Sequence, residues 1–231
     1  LPGESRSNTN YTPGQILATV VSVGTGFTKI FSSNPAVVVV PGGQTINSST
    51  EELLESFESL PAEQVVILPN NPNIILAAEQ AAKISKKDVS IVPTRSIPQG
   101  IAAMLAFDPD ESFDKVIESM ILNSQEVKSG EVTTATQSTT WNNLKISKGE
   151  IIGLHDKELV CVAEHPSECA KQLLLTMVDN DSELITLYYG TDISIDEADI
   201  LSSSIKSTYS DVEVEIYSGG QPLYHYIISV E

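Results

Sequence analysis

The chain has 231 residues, 41% of them hydrophobic and 19% charged, a globular composition able to bury a core. Lys+Arg 13 against Asp+Glu 31 leaves a net charge of −18, which argues against nucleic acid and anionic lipid surfaces as partners, because both are bound through basic patches. No apolar run approaches the ~18 residues that a membrane-spanning helix needs. Two cysteines, Cys161 and Cys169, are too few for a disulfide framework, so a reducing cytoplasm is the expected setting.

Residues 1–14 (LPGESRSNTNYTPG) are polar and rich in Pro, Gly, Ser and Asn, with no Met and no apolar signal core. They read as a linker or an artificial boundary, and the chain as a fragment of something longer. Residues 15–23 (QILATVVSV) predict a strand, broken by Gly24-Thr25-Gly26 and followed by a short amphipathic stretch over 27–33. A fully apolar strand is predicted over 36–40 (AVVVV). INSSTEELLESFESL then predicts a helix, with Ser49 and Glu52 at capping-box spacing. Strands over 65–68 and 89–92 alternate with helices over 73–87 and 98–107. Short apolar strands alternating with helices point to an α/β lobe over 15–110, a parallel sheet with helices on both faces.

The pattern changes after DPDESFD (residues 108–114) and a connecting helix over 112–125. Residues 131–140 alternate, and breaks at Asn142-Asn143, Lys148-Gly149 and Asp156-Lys157 predict hairpins. Helices are predicted over 166–178 and 194–209, and strands over 184–189, 212–217 and 224–230. Residues 111–231 thus form a second α/β lobe with a mixed or antiparallel sheet. Its 7 basic and 21 acidic side chains leave a net of −14, against −4 for residues 1–110. This asymmetry fits either a basic partner surface or solubility alone.

Unusual residues gather where the first lobe's strands end: VGTG at Val23 to Gly26, PGGQT at Pro41 to Thr45, PNN at Pro69 to Asn71 and PTRS at Pro93 to Ser96. Parallel strands place these ends on one edge, where open α/β sheets bind ligands and helix N-termini offer free N–H groups. The candidate site residues are therefore Gly24, Thr25, Gly26, Gly42, Gly43, Gln44, Thr45, Asn70, Asn71, Thr94, Arg95 and Gln99. Arg95 is the one strong cation among them, suited to a carboxylate or phosphate. The competing reading is ordinary turn and cap chemistry. A second Gly-Gly-Gln, Gly219-Gly220-Gln221, precedes Pro222 and reads as a turn, with Gln221 the residue there expected to reach a partner.

Other motifs carry less. Gly24-Thr25-Gly26 is neither GxGxxG nor a Walker loop, so no nucleotide site is inferred. Cys161, His165 and Cys169 recur every four residues and on one helix would suit zinc. Pro166, however, starts the helix late and leaves Cys161 on the preceding strand. Without a fourth ligand, a pair of buried thiols is the other reading. His155, His165 and His225 lack the context of a nucleophile, and DNDSE and IDEAD lack calcium-loop spacing. No catalytic constellation stands alone.

PGGQTINSSTEELLESFESL, VVILPNNPNIILAAEQAA, IVPTRSIPQGIAAMLAFDP and VEVEIYSGGQPLYHYIISVE together resemble the C-terminal region of FakA, the kinase subunit of bacterial fatty acid kinase, a family related to dihydroxyacetone kinase. The resemblance runs from about residue 15 to 231. It implies a two-lobed, DegV-like fold in a parent protein that phosphorylates a fatty acid held by a separate carrier, FakB. The acyl phosphate formed would feed phospholipid synthesis. It implies that this region docks the carrier. ATP and Mg belong to a nucleotide domain outside this chain, as do the middle domain's zinc ligands. The fragment is then expected to hold no cofactor and to be non-catalytic alone. The alternative is a small-molecule or fatty-acid-binding domain that uses the crevice around Arg95.

Overall fold

The computed structural model describes residues 14–42, 48–141 and 144–231. The chain divides into two compact units, Leu1–Ser22 with Thr28–Ser124, and Val23–Phe27 with Gln125–Glu231.

The first unit carries β1 (Ile16–Ser22), β2 (Val37–Pro41), α2 (Thr50–Glu58), β3 (Gln64–Leu68), α3 (Pro72–Ile84), β4 (Asp88–Ile91), α4 (Ile97–Leu105) and α5 (Phe113–Gln125). The helix α1 (Thr25–Ser32) starts in the short segment that clusters with the second unit. All strand pairs described in this sheet are parallel, in the order β2-β1-β3-β4. The central β1 is buried along its whole length, Thr19 and Ser22 included, as suits a mostly apolar strand covered on both faces. On one face Leu17, Val21, Val65 and Ile67 pack against Leu53 and Phe57 of α2 and Ile74, Ala78 and Ala81 of α3. Each Val, Leu, Ile or Phe side chain among them contributes roughly 1.5–3 kcal/mol by leaving water.

Local chemistry sets the helix ends. Ser49 accepts from the Glu52 N–H while the Glu52 carboxylate accepts from the Ser49 N–H, so the expected capping box is present. The helix α3 stops at Ile84, short of the expected Lys87. Ser85 is extended there, and its hydroxyl donates to Glu58 and accepts from the Lys87 N–H, which caps the turn from outside.

The second unit carries β5 (Lys128–Thr134), β6 (Thr139–Trp141), β7 (Leu144–Ile146), β8 (Ile151–His155), β9 (Glu158–Ala163), α6 (Pro166–Met177), β10 (Leu184–Tyr189), α7 (Ile195–Thr208), β11 (Glu213–Ser218) and β12 (Tyr224–Val230). Six strands form one sheet in the order β11-β10-β12-β5-β8-β9. Among the described pairs within it β10–β11 is parallel and the rest are antiparallel, so the sheet is mixed, as expected. The hairpin β8–β9 turns at Asp156 (φ 47) and Lys157 (φ 75), the two consecutive left-handed residues of a type I′ turn. Asp156 offsets part of that strain by accepting the Ser129 N–H. Helices α6 and α7 bring Leu173, Leu174, Met177, Leu201 and Ile205 onto Ile185, Leu187, Tyr226 and Ile228 of the sheet.

Candidate functional site

At the carboxyl edge of the parallel sheet, Asn70 connects three strands. Strand order reverses about β1, which opens a crevice between the ends of β1 and β3. Asn70 follows β3 in the left-handed region (φ 54), a conformation that asparagine tolerates better than most residues. Its side-chain amide donates to the Val21 carbonyl of β1 at 2.9 Å, and its backbone N–H donates to the Thr94 hydroxyl beyond β4 at 3.1 Å. Asn70 is 6% exposed and Thr94 1%. The Asn70 Oδ1 is buried with no hydrogen-bond partner among the described residues. It lies against Gly100 of α4, where a Cβ would stand 2.1 Å from it.

The neighbouring candidates divide by role. Asn71 is the N-cap of α3, accepting from the Asn73 N–H at 2.9 Å, and is buried. Gln99 accepts the Arg95 N–H at 2.8 Å, which fixes the turn into α4 behind its N-cap Ser96. Arg95 is exposed and forms no ion pair among the described residues. Gly42 donates its N–H to the Ser22 carbonyl at 3.0 Å. Gly43, Gln44 and Thr45 lie outside the described residues. The edge therefore gathers Asn70, Asn71, Thr94, Arg95 and Gln99, and of these five Arg95 presents charge to solvent.

Gly24, Thr25, Gly26 and Gln221 gather instead in the second unit. The Gly219 carbonyl accepts from the N–H of Gly26 at 2.9 Å and of Phe27 at 3.3 Å. The opening of α1 is thus capped by the chain's own backbone, where the sequence predicted free N–H groups. Close approach requires the glycines. A Cβ on Gly26 would stand 1.8 Å from the Ser218 carbonyl oxygen, and one on Gly24 (φ +101) 2.5 Å from the Gly219 oxygen. Gly219 and Gly220 donate to the Tyr189 carbonyl at 3.1 and 3.3 Å, which holds this turn to the end of β10.

Gln221 differs from its expected role of reaching a partner. It is fully buried, and its amide donates to the Tyr188 carbonyl at 2.9 Å and that of Tyr224 at 3.4 Å. It bridges the end of β10 to the start of β12. The reason is topological: β12 enters the sheet beside β10, so the turn before it must pass through the interior.

Two further arrangements lie outside the candidate site residues. His225 is half-buried, with Nδ1 against Asp192 Oδ2 and Nε2 2.9 Å from the Thr134 hydroxyl. This row ties β5 and β12 to the loop entering α7. Cys161 of β9 and Cys169 of α6 are free thiols with sulfurs 3.6 Å apart. His165 precedes Pro166 as the N-cap residue of α6, so the three residues do not share one helix. Among the described residues no group of three or more His, Cys, Asp or Glu is placed to hold a metal ion.

Residues 16–231 match the protein-family model for the C-terminal region of FakA-like fatty acid kinase proteins. The chain belongs to this FakA-like C-terminal family. The sequence is 41% identical over 211 residues to Protein YloV of Bacillus subtilis (strain 168), covering 91% of this chain and 38% of that protein. It is 39% identical to an uncharacterized protein of Staphylococcus haemolyticus with the same coverage. The chain thus spans about two fifths of the length of these relatives.

The FakA-like fold is shared with DegV-family proteins. The Streptococcus pneumoniae Fatty Acid Kinase (Fak) B3 protein, loaded with linoleic acid, matches with a TM-score of 0.63 at 12% identity, covering 94% of this chain and 99% of that one. A fatty-acid-binding DegV protein of Thermus thermophilus gives 0.63 at 15% identity with the same coverage. The dihydroxyacetone kinase of C. freundii, in complex with AMP-PNP and Mg2+, gives 0.60 at 13%, covering 96% of this chain and 49% of that one. The DegV-like, two-part α/β architecture expected from the sequence is therefore the observed one. No helix among the described residues is long and apolar enough to cross a membrane.

Proposed function

We propose that this FakA-like region is a docking module of a cytoplasmic fatty acid kinase. It would receive a FakB-type carrier and present the carrier's fatty acid carboxylate to an ATP- and Mg-dependent kinase domain elsewhere in the parent protein. The acyl phosphate so formed would enter phospholipid synthesis. In this reading the chain contributes binding and orientation, and the phosphoryl transfer belongs to the parent.

The observation that carries the reading is family membership over 16–231, joined to how each unit uses its strand-end edge. Where open α/β folds leave room for a ligand, Asn70 fills the β1–β3 crevice and the Gly219 carbonyl caps α1. The Asn70 amide N–H groups and the first N–H groups of α1 are taken up by internal carbonyls and hydroxyls, which favours surface recognition over holding a small molecule. The charge excess supports the same reading, since residues 111–231 carry a net of −14 and suit a basic partner surface. A pull-down with acyl-loaded carrier tests it: retention at low salt that weakens at high salt is expected. No retention at low salt would sink it.

A second reading, a fatty-acid-binding domain in its own right, draws on exposed Arg95 and the unpartnered Asn70 Oδ1 at the same sheet edge. Native mass spectrometry of the chain as isolated distinguishes the two. A fatty acid adduct lost in Arg95→Ala would favour this second reading.

A further inference from the structure

Cys161 and Cys169 are eight residues apart in sequence, one on a strand and one in a helix, yet their sulfurs lie 3.6 Å apart. The contact is made possible by Gly153 of β8, which pairs with Cys161 across the ladder. A Cβ on Gly153 would stand 2.4 Å from the Cys161 sulfur and 3.1 Å from that of Cys169. The missing side chain opens a space that both thiols fill. Cys169 is fully buried, whereas Cys161 keeps partial access to solvent.

The two thiols are chemically unequal. The sulfur–sulfur hydrogen bond, in which either thiol can be the donor, holds the Cys161 pKa below the usual thiol value. The same bond, with burial, pushes Cys169 up. Cys161 therefore ionises first, and the thiolate is the nucleophilic form. A protein disulfide needs sulfurs about 2.05 Å apart, so the pair must close by about 1.5 Å. Both sulfurs already lie over Gly153, so the closure required is rotation of the two side chains toward each other.

We propose that Cys161 and Cys169 are a redox modification site whose substrate is a hydroperoxide. The Cys161 thiolate attacks the outer oxygen of the peroxide, the O–O bond breaks, and the leaving oxygen takes a proton to depart as alcohol or water. Cys161 becomes a sulfenic acid. The Cys169 sulfur then attacks it, forming the S–S bond and releasing water. Two thiols lose two electrons in total, and one peroxide bond gains them. A dithiol reductant reverses the modification by exchange. The bond would staple the end of β9 to the first turns of α6. The loop it closes supplies Val162, Ala163, Glu164 and Glu168 to the lining of a surface groove shared with Glu150 and Ile151.

Mass spectrometry of the intact chain after a small excess of hydrogen peroxide tests the site. Cleavage after Lys157 and Lys171 leaves both cysteines in one peptide, and cleavage after glutamate separates them. The expected result is loss of two hydrogens, two linked peptides after cleavage at glutamate, and full reversal by a dithiol. In Cys169→Ser, Cys161 should stop at the sulfenic acid and be trapped by a 1,3-dione. In Cys161→Ser, the buried Cys169 should resist oxidation under the same conditions. The proposal is overturned if both thiols persist while free cysteine in the same tube is consumed. Separate oxygen adducts without linkage, or disulfides between chains, overturn it equally.

Discussion

The backbone N–H of Gly26 donates to the carbonyl of Gly219 at 2.9 Å, across 193 residues of sequence. This one bond brings the glycine break after the first strand against the glycine turn before the last. It converts two short motifs, each weak by itself, into one clasp within the second unit.

Replacing Gly26 by alanine tests the clasp. The added methyl would stand 1.8 Å from a backbone oxygen, which cannot swing aside as a side chain can. Gly26→Ala should lower stability by about 2–4 kcal/mol in urea unfolding, as forced backbone displacement does. Gly149→Ala is the control. It has a left-handed φ of +99 but nothing within 4 Å, so conformational strain alone should cost about 1 kcal/mol.

Asn70 and Gly100 should behave as a coupled pair. Gly100→Ala drives a methyl into the Asn70 amide, 2.1 Å from Oδ1, and Asn70→Ala loses the bond to Val21 while keeping the left-handed backbone. Each single change is expected to cost about 2–3 kcal/mol. Removing the amide also removes the clash, so the double variant should be more stable than the sum predicts, by about 1 kcal/mol or more. Strict additivity in a double-mutant cycle would contradict the contact.

Alkaline pH should destabilise the second unit through its buried tyrosines. Burial pushes the Tyr226 phenol up to about 12 from an ordinary value near 10, and burial also raises Tyr188 and Tyr224. Below about pH 10 each phenol is neutral in both folded and unfolded chains, and the stabilisation is fully present. Between about pH 10 and 12 the unfolded chain ionises first, so stability falls as pH rises through that window. Tyr226→Phe should flatten the decline when unfolding midpoints are compared across it. An unchanged slope would show that Tyr226 is not held neutral by the fold.

Lys157 should matter more than a surface lysine does. Its ammonium pairs with Glu131, which is 5% exposed and whose second carboxylate oxygen has no partner among the described residues. Lys157→Ala strands a buried charge and should cost about 3 kcal/mol. Glu131→Gln, which removes the charge, should cost less. If the two variants unfold at the same denaturant concentration, the buried charge is not what the lysine serves.

Much of the fold could be read along the chain because its signals are local. Ser49 with Glu52 announced α2, the apolar runs announced the parallel strands, and the acidic first turn of α7 announced its start. What escaped depends on partners distant in sequence. Nothing around Gly26 says that Gly219 will cap it. Gln221 looks like a turn residue until β12 is placed between β10 and β5. Pro166 already placed Cys161 on a strand and Cys169 in a helix, with buried thiols as one reading, but that the two sulfurs touch depends on Gly153 from another strand. Of the strand-end candidates, burial and exposure divide Asn70, Thr94 and Arg95 into two internal braces and one surface charge, a division that no local signal carries.

The most direct test of the docking role is a calorimetric titration of the chain with fatty-acid-loaded FakB carrier over a range of salt concentrations. Saturable binding at low salt, with affinity falling as salt screens the acidic surface, is the expected result. No binding heat at low salt, with a fatty acid found bound to the chain itself, would contradict the docking role.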